Sequence, residues 1–213
     1  MTRRQSCTEY WLDTRTGTFR GDFEAMYRDI DDPWGCEAGK SSLDNRVFVD
    51  IIFDSRKGFQ RILDIGCGLG GLLNTIKLRN DGGGYVMGVD VSPTAVDKAR
   101  ANYPDLTFQC RNVVHEEIGE RDFDLVVLSE VLWYVLESLP LFFDRVIELM
   151  AVRGTLAIHQ FFPTEQRYGK AVLDGLPGFQ RFMEDRAGLP QQHVYTSHHR
   201  DGLVLLSTFT KER

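Results

Sequence analysis

Apolar positions along the chain fall into three regimes. Residues 1–40 mix polar and aromatic side chains, are interrupted at Asp31 to Gly35 (DDPWG), and show no long periodic stretch, so they read as an appendage to a core. A helix is predicted to open at Ser41, where Ser41 and Asp44 have capping-box spacing, and to run through NRVFVDIIFDSRK to Gly58, a natural C-terminal glycine. Beyond residue 60 short apolar runs alternate with helical patterns. RILDIG (61–66) predicts a buried strand, the glycines after it turn the chain, and LLNTIKL continues as a helix. YVMGVDV (85–91) is a second strand, and Ser92 with Pro93 makes an N-cap and first turn for the helix TAVDKARANY. LTFQC (106–110) is a third strand. FDLVVLSEV (123–131) is a fourth, with the nearly continuous apolar centre of a parallel strand covered on both faces. The helix LPLFFDRVIELM starts near Ser138 and Pro140, and GTLAIHQFF (154–162) supplies a fifth strand.

The last regime differs. A long polar helix is predicted over roughly residues 164–188. QQHVYTSHH and LVLLSTFTKE then follow, separated only by RDG, which is too short for a parallel crossover and predicts an antiparallel hairpin. The expected class is therefore α/β: a Rossmann-like, seven-stranded, mostly parallel sheet with an antiparallel C-terminal hairpin and helices on both faces. Residues 1–44 are expected to form an N-terminal cap or lid, and residues 45–213 the main domain.

Composition narrows the partners more than the fold. The 213 residues are 42% hydrophobic and 26% charged, ordinary for a soluble globular protein and enough for one sizeable core. A net charge of -6 gives no electrostatic footprint for nucleic acid or anionic lipid, so neither is an expected partner. The two early arginines are followed by no apolar segment, and no run reaches membrane-spanning length, which leads to a cytoplasmic expectation. Cys7, Cys36, Cys67 and Cys110 stand far apart without metal-ligand spacing, so reduced, mostly buried thiols are expected and no metal site.

The chemistry concentrates in LDIGCGLGGL (63–72), which reads as two cofactor loops at once. Gly66, Gly68 and Gly71 fit the G-x-G-x-x-G of a nicotinamide or flavin site, and Asp64, Gly66, Gly68 and Gly70 fit the D-x-G-x-G-x-G of an S-adenosylmethionine site. Both place backbone against a ligand at the carboxyl end of a parallel strand. Asp90, at the end of the second strand, is placed to accept the hydroxyl hydrogens of an adenosine ribose, which both cofactors carry. Asp64 distinguishes them in part, because a carboxylate buried within a strand is costly unless it bonds the loop backbone or a cationic ligand. The terminal hairpin also departs from the repeated parallel half of a nicotinamide domain.

The loop, the acidic strand end and FDLVVLSEVLWYV together resemble the motif series of class I S-adenosylmethionine-dependent methyltransferases over roughly residues 45–160. MYRDIDDPWG and LSEVLWYV look in particular like nodulation-type N-methyltransferases acting on an amino sugar. The resemblance implies S-adenosylmethionine as cofactor, with the backbone of Gly66, Cys67, Gly68 and Gly70 beside its methionyl part, Asp90 on the ribose and Val91 on the adenine. Where the family often has Gly-Asp, this chain has Arg111 and Asn112; the Asn112 carbonyl and the Val113 amide are the groups left to read the adenine edge. Ser129 and Glu130 would face the reacting centre.

A sulfonium methyl is already activated, so the protein mainly aligns a nucleophile and, where needed, removes a proton. Glu130 is the first catalytic candidate and His159, ending the fifth strand, the second. His115 is weaker. His198 and His199, adjacent on a strand, face opposite ways and are expected to be solvated, as is His193. Tyr10, Trp11, Tyr27 and Trp34 are placed either to close over the sulfonium or to pack as an apolar edge. The expected function is methyl transfer to a small-molecule amine or hydroxyl, since SEVLW lacks the Asn/Asp-Pro-Pro-Tyr signature of DNA base methylation. The alternatives are a nicotinamide-dependent oxidoreductase and a non-catalytic S-adenosylmethionine-binding module.

Overall fold

The structure is a computed structural model that describes residues 6–35, 42–54, 56–81 and 83–212. The N-terminal segment folds as α1 (Thr8–Trp11), a two-stranded ribbon of β1 (Leu12–Asp13) and β2 (Thr18–Phe19), and α2 (Phe23–Asp29). The main body follows as α3 (Leu43–Asp54), β3 (Arg61–Ile65), α4 (Gly71–Arg79), β4 (Tyr85–Asp90), α5 (Pro93–Asn102), β5 (Thr107–Cys110) and β6 (Phe123–Ser129). It closes with α6 (Leu139–Leu149), β7 (Met150–Pro163), α7 (Gly175–Phe182), β8 (Gln191–His199) and β9 (Gly202–Thr210).

The seven long strands form one sheet in the order β5-β4-β3-β6-β7-β9-β8. The first five are mutually parallel, and β9 runs antiparallel to both of its neighbours. The expected hairpin is therefore present, with its second strand inserted between β7 and β8.

Alternation along the strands makes two cores. Ile62, Leu125, Val127 and Ala157 point to the face covered by Phe48 of α3, Leu73 of α4 and Val96 of α5. Leu63, Val126, Leu128 and Ile158 point to the other face, under Phe142 of α6 and Phe179 of α7. Strand order reverses between β3 and β6, and that switch point is where a parallel sheet opens a crevice at its carboxyl edge. Among the described residues no helix is long and apolar enough to cross a membrane.

Several predicted boundaries are corrected. Helix α3 begins at Leu43, with the Ser42 hydroxyl accepting the Asn45 amide at 3.2 Å, and ends at Asp54, well before Gly58. Ser41, the expected cap, and Cys36 lie outside the described residues. The fourth strand stops at Ser129 because Glu130 adopts a left-handed backbone (φ 58°). The long helix over 164–188 is instead a loop followed by α7 and one π-helical turn, Met183–Ala187. Gly175 has positive φ and Pro177 lacks an amide hydrogen, which removes helical hydrogen bonding upstream. The Gln166 side chain organises the loop in its place, donating to the carbonyls of Tyr168 and Leu173 and accepting the Gly175 amide.

Candidate active site

A cavity of about 820 Å³ lies over the switch point, between the carboxyl ends of β3, β4 and β6 and the N-terminal segment. Its floor is set by local chain turns. The amides of Gly66 and Cys67 both donate to the Val89 carbonyl, at 2.8 and 3.0 Å, which ties the glycine loop to β4. Gly66 has φ 78°, and a Cβ there would lie 2.6 Å from a methyl of Val131; a Cβ on Gly68 would lie 2.8 Å from the Tyr27 hydroxyl. The loop is thus pressed between the turn after β6 and the N-terminal segment, with no space for a side chain at either glycine. Gly70 precedes α4 and backs onto Phe108, away from the cavity, whereas Gly71 lines it.

Two carboxylates stand toward the carboxyl ends of β3 and β4. Asp90 accepts the Gly68 amide at 3.0 Å and the Ser92 amide at 2.9 Å, one on each oxygen, and faces the cavity. Burial raises its pKa, with those amides opposing the rise. Asp64 is 2% exposed, and its Oδ1 has no hydrogen-bond partner among the described residues. Burial first, then the Asp90 charge, pushes its pKa up to about 7. A buried carboxylate oxygen without a donor at a cavity wall fits a cationic ligand group, and the α-ammonium of S-adenosylmethionine is one. The Cys67 thiol is buried and its pKa is pushed up by burial and by the two aspartates, so it is inert packing. Val91 is half exposed on the wall, beside Asn112, Val113 and His115. The Asn112 oxygen accepts the Val114 amide at 3.1 Å, which engages one of its two lone pairs.

The other end is assembled from distant segments. Parallel pairing sets Ser129 beside His159, and the Ser129 hydroxyl lies 3.2 Å from His159 Nδ1. His159 Nε2 lies 3.7 Å from Glu130. Burial lowers the His159 pKa to about 4, the Asp44 charge opposing, so the ring is neutral at physiological pH. Glu130 Oε1 accepts the Phe161 amide at 2.9 Å and Oε2 accepts the Gln160 side chain at 3.0 Å. Burial pushes the Glu130 pKa up to about 7, the Phe161 amide opposing and Asp44 adding to the rise.

The sequence reading missed Asp44 and Gln160 as site residues. Asp44 lines the cavity from α3 and pairs with His199 Nε2 at 2.9 Å, so His199 is engaged where solvation was expected. His193 is likewise engaged, with Thr208 at 3.0 Å and Asp54 at 3.2 Å. Gln160, a fully buried polar side chain inside the apolar run LAIHQFF, was the available signal for the second.

The N-terminal segment covers the cavity. Glu24 of α2 accepts the Ser92 hydroxyl and the Thr94 hydroxyl and amide, capping α5 from outside, and Lys98 of α5 donates to the Tyr27 carbonyl at 2.7 Å. Phe19, Phe23, Tyr27 and Trp34 line the space. Tyr134, on the turn after β6, is the hub they reach: its ring contacts Trp11, Phe23 and Trp34 at centroid distances of 5.2, 4.9 and 5.8 Å. Trp11 and Tyr10 stay outside the cavity lining, with Tyr10 bonded to Asp29. Among the described residues, Cys7, Cys67 and Cys110 are free thiols, and no group of three or more His, Cys, Asp or Glu side chains is placed to hold a metal.

The fold is that of the class I, S-adenosylmethionine-dependent methyltransferases. Residues 63–156 match the family model described as a methyltransferase domain. The ubiquinone biosynthesis O-methyltransferase of Rhodopseudomonas palustris (strain TIE-1) is 37% identical over 101 residues, covering 46% of this chain and 38% of that protein. The ribosomal protein L11 methyltransferase of Cupriavidus pinatubonensis is 35% identical over 84 residues, covering 39% and 28%. The chain thus matches well under half the length of these curated relatives. Among solved structures, the N-methyltransferase NodS of Bradyrhizobium japonicum WM9 with S-adenosyl-L-homocysteine has TM-score 0.67 at 17% identity, over 86% of this chain and 94% of that one. Magnesium protoporphyrin IX methyltransferase of Synechocystis PCC 6803 with bound S-adenosylhomocysteine has TM-score 0.64 at 16% identity, over 97% and 100%. At these identities the likeness establishes the fold.

Proposed function

We propose that this chain is an S-adenosylmethionine-dependent methyltransferase acting in the cytoplasm on a small-molecule amine or hydroxyl, an amino sugar being one such acceptor. The observation that carries the reading is the Asp64 oxygen, unpartnered among the described residues, on the wall of a cavity whose loop has no room for a side chain at Gly66 or Gly68. Asp64 would hold the ligand's ammonium, Asp90 its ribose hydroxyls, and Val91, Asn112 and Val113 its adenine. The backbone of Gly66, Cys67 and Gly68 would flank the methionyl part. When bound, S-adenosylmethionine supplies a methyl group on a sulfonium, transferred in line to the acceptor as the S–C bond breaks.

The chain's own residues then orient the acceptor, exclude water and take a proton. Glu130 would receive the proton that the methylated nitrogen or oxygen releases, since a carboxylate with pKa near 7 is both available and basic enough at neutral pH. His159, with its basicity depressed, supports Glu130 and Ser129. Residues 1–44 act as the cap and 45–213 as the methyltransferase domain. Nitrogen is favoured over oxygen by the walls: Asp44, Glu130 and Glu137 line the cavity with aromatic faces, and Arg111 is the one Lys or Arg among the described lining residues. Such a surface favours an acceptor that arrives as an ammonium ion.

Methyl-tritiated S-adenosylmethionine incubated with the purified chain and a panel of amines and hydroxyl compounds tests the reading. Label transfer to an amine, slowed in Glu130→Gln, is expected. Tight cofactor binding with no transfer to any acceptor would favour a binding module, and oxidation of reduced nicotinamide would contradict the cofactor.

A further inference from the structure

We propose that Gln160 is the positioning residue that fixes the Glu130 carboxylate at the acceptor end of the cavity, through a single side-chain amide whose orientation is chemically determined. The proposal deepens the role given to Glu130 above and rests on that reading for its function, although not for its geometry.

Gln160 sits on β7, is fully buried, and spends its whole amide on three groups. Its Oε1 accepts the Leu132 backbone amide at 3.1 Å. Its Nε2 donates to Glu130 Oε2 at 3.0 Å and to the Phe161 carbonyl at 3.2 Å. The amide has one permissible direction. Leu132 offers an N–H, so the atom facing it must be the oxygen; reversal would set N–H against N–H and a carbonyl oxygen against a carboxylate. Toward Glu130, Gln160 is therefore a donor and never an acceptor.

The neighbouring bonds show why such a donor is needed. Glu130 has the left-handed backbone of a tight turn, with its amide donating to the His159 carbonyl at 2.8 Å, and its side chain returns over β7. The Phe161 amide holds one oxygen and Gln160 the other, so the carboxylate plane is set and its remaining lone pairs are left for the cavity. The titratable groups facing it are His159 of β7 and Asp44 of α3, itself paired with His199 of β8. Asp44 disfavours the ionised form, and Gln160 favours it by donating to it. The same amide pins Leu132, at the start of the turn that carries Tyr134, so one side chain couples the carboxylate to the aromatic hub.

The test is a carboxyl-carbon NMR titration of the full chain labelled at glutamate, with the Glu130 signal assigned by its loss in Glu130→Gln. Gln160→Met removes the donor and is expected to raise the Glu130 midpoint by about one pH unit, a tenfold gain in proton affinity. Affinity for S-adenosylhomocysteine should stay within about twofold, because a change confined to the acceptor end leaves the cofactor contacts intact. Gln160→Glu keeps the size and an oxygen for Leu132 but replaces the donor with a second carboxyl, so it also raises the midpoint and serves if Gln160→Met does not fold. A midpoint that stays at its wild-type value in a folded variant would overturn the proposal, since a purely structural glutamine would leave it there. Failure of the wild-type chain to bind S-adenosylhomocysteine would contradict the proposed function, while the Glu130 midpoint would still decide the role of Gln160.

Discussion

Asp64 and Glu130 are both carboxylates at strand ends on one cavity, and burial carries both to a pKa of about 7, yet their surroundings are opposite. Asp64 is sealed against solvent with an oxygen that no described residue satisfies. Glu130 has a donor on each oxygen and 40% of its side chain open to the cavity. The first arrangement stores unfavourable desolvation that a cationic ligand relieves; the second holds a proton acceptor in place before any ligand arrives. Under the proposed function, one wall of the cavity binds and the other reacts.

The comparison breaks first at the glycine loop. Gly66→Val combines a positive φ with a clash on Val131, and is expected to weaken S-adenosylhomocysteine binding by roughly a hundredfold in calorimetry, as backbone strain of this kind costs several kcal/mol. Asp90→Ala removes the ribose acceptor and frees the Gly68 and Ser92 amides, so a loss of roughly tenfold or more is expected; an unchanged dissociation constant in the folded variant would remove Asp90 from the site.

Asp64→Asn sharpens the contrast, because its two effects oppose. Affinity for S-adenosylhomocysteine should fall by about fivefold, the loss of a charged partner for an ammonium. The unliganded chain should become more heat-stable at pH 8. The folded pKa of Asp64 lies above its ordinary 3.8, so its favourable contribution is present below that value and lost as pH rises through about 7. Melting curves of the wild type should thus fall between pH 5 and 8 more steeply than those of Asp64→Asn. The smallest binding effect is expected at Glu130→Gln: affinity within about twofold, with methyl transfer slowed, since its carboxylate touches the acceptor side. Equal loss of both would make Glu130 a cofactor ligand.

The wall formed by the glycine loop and Asp90 was legible in the sequence because it is made of short consecutive segments. LDIGCGLGGL is one strand and one turn, Asp90 ends the next strand, and the Ser92 cap is realised, its hydroxyl accepting the Ala95 amide at 3.1 Å. The opposite wall brings together Asp44, Glu130 and His159, with Gln160 behind Glu130, and the N-terminal segment fastens through Glu24, Lys98 and Tyr134 to partners far away in the chain. No local pattern carries such pairings; they exist once parallel pairing has placed Ser129 beside His159. The misread helix over 164–188 has a similar cause, since polar periodicity was outweighed by Gly175, Pro177 and the Gln166 side chain.

The central claim, a cavity that receives S-adenosylmethionine through Asp64 and Asp90, is tested most directly by calorimetric titration of the purified chain with S-adenosylmethionine, S-adenosylhomocysteine and NAD in parallel. Saturable binding of the first two, at dissociation constants on the order of micromolar, with no heat from NAD, is the predicted result. Binding of NAD alone would contradict it.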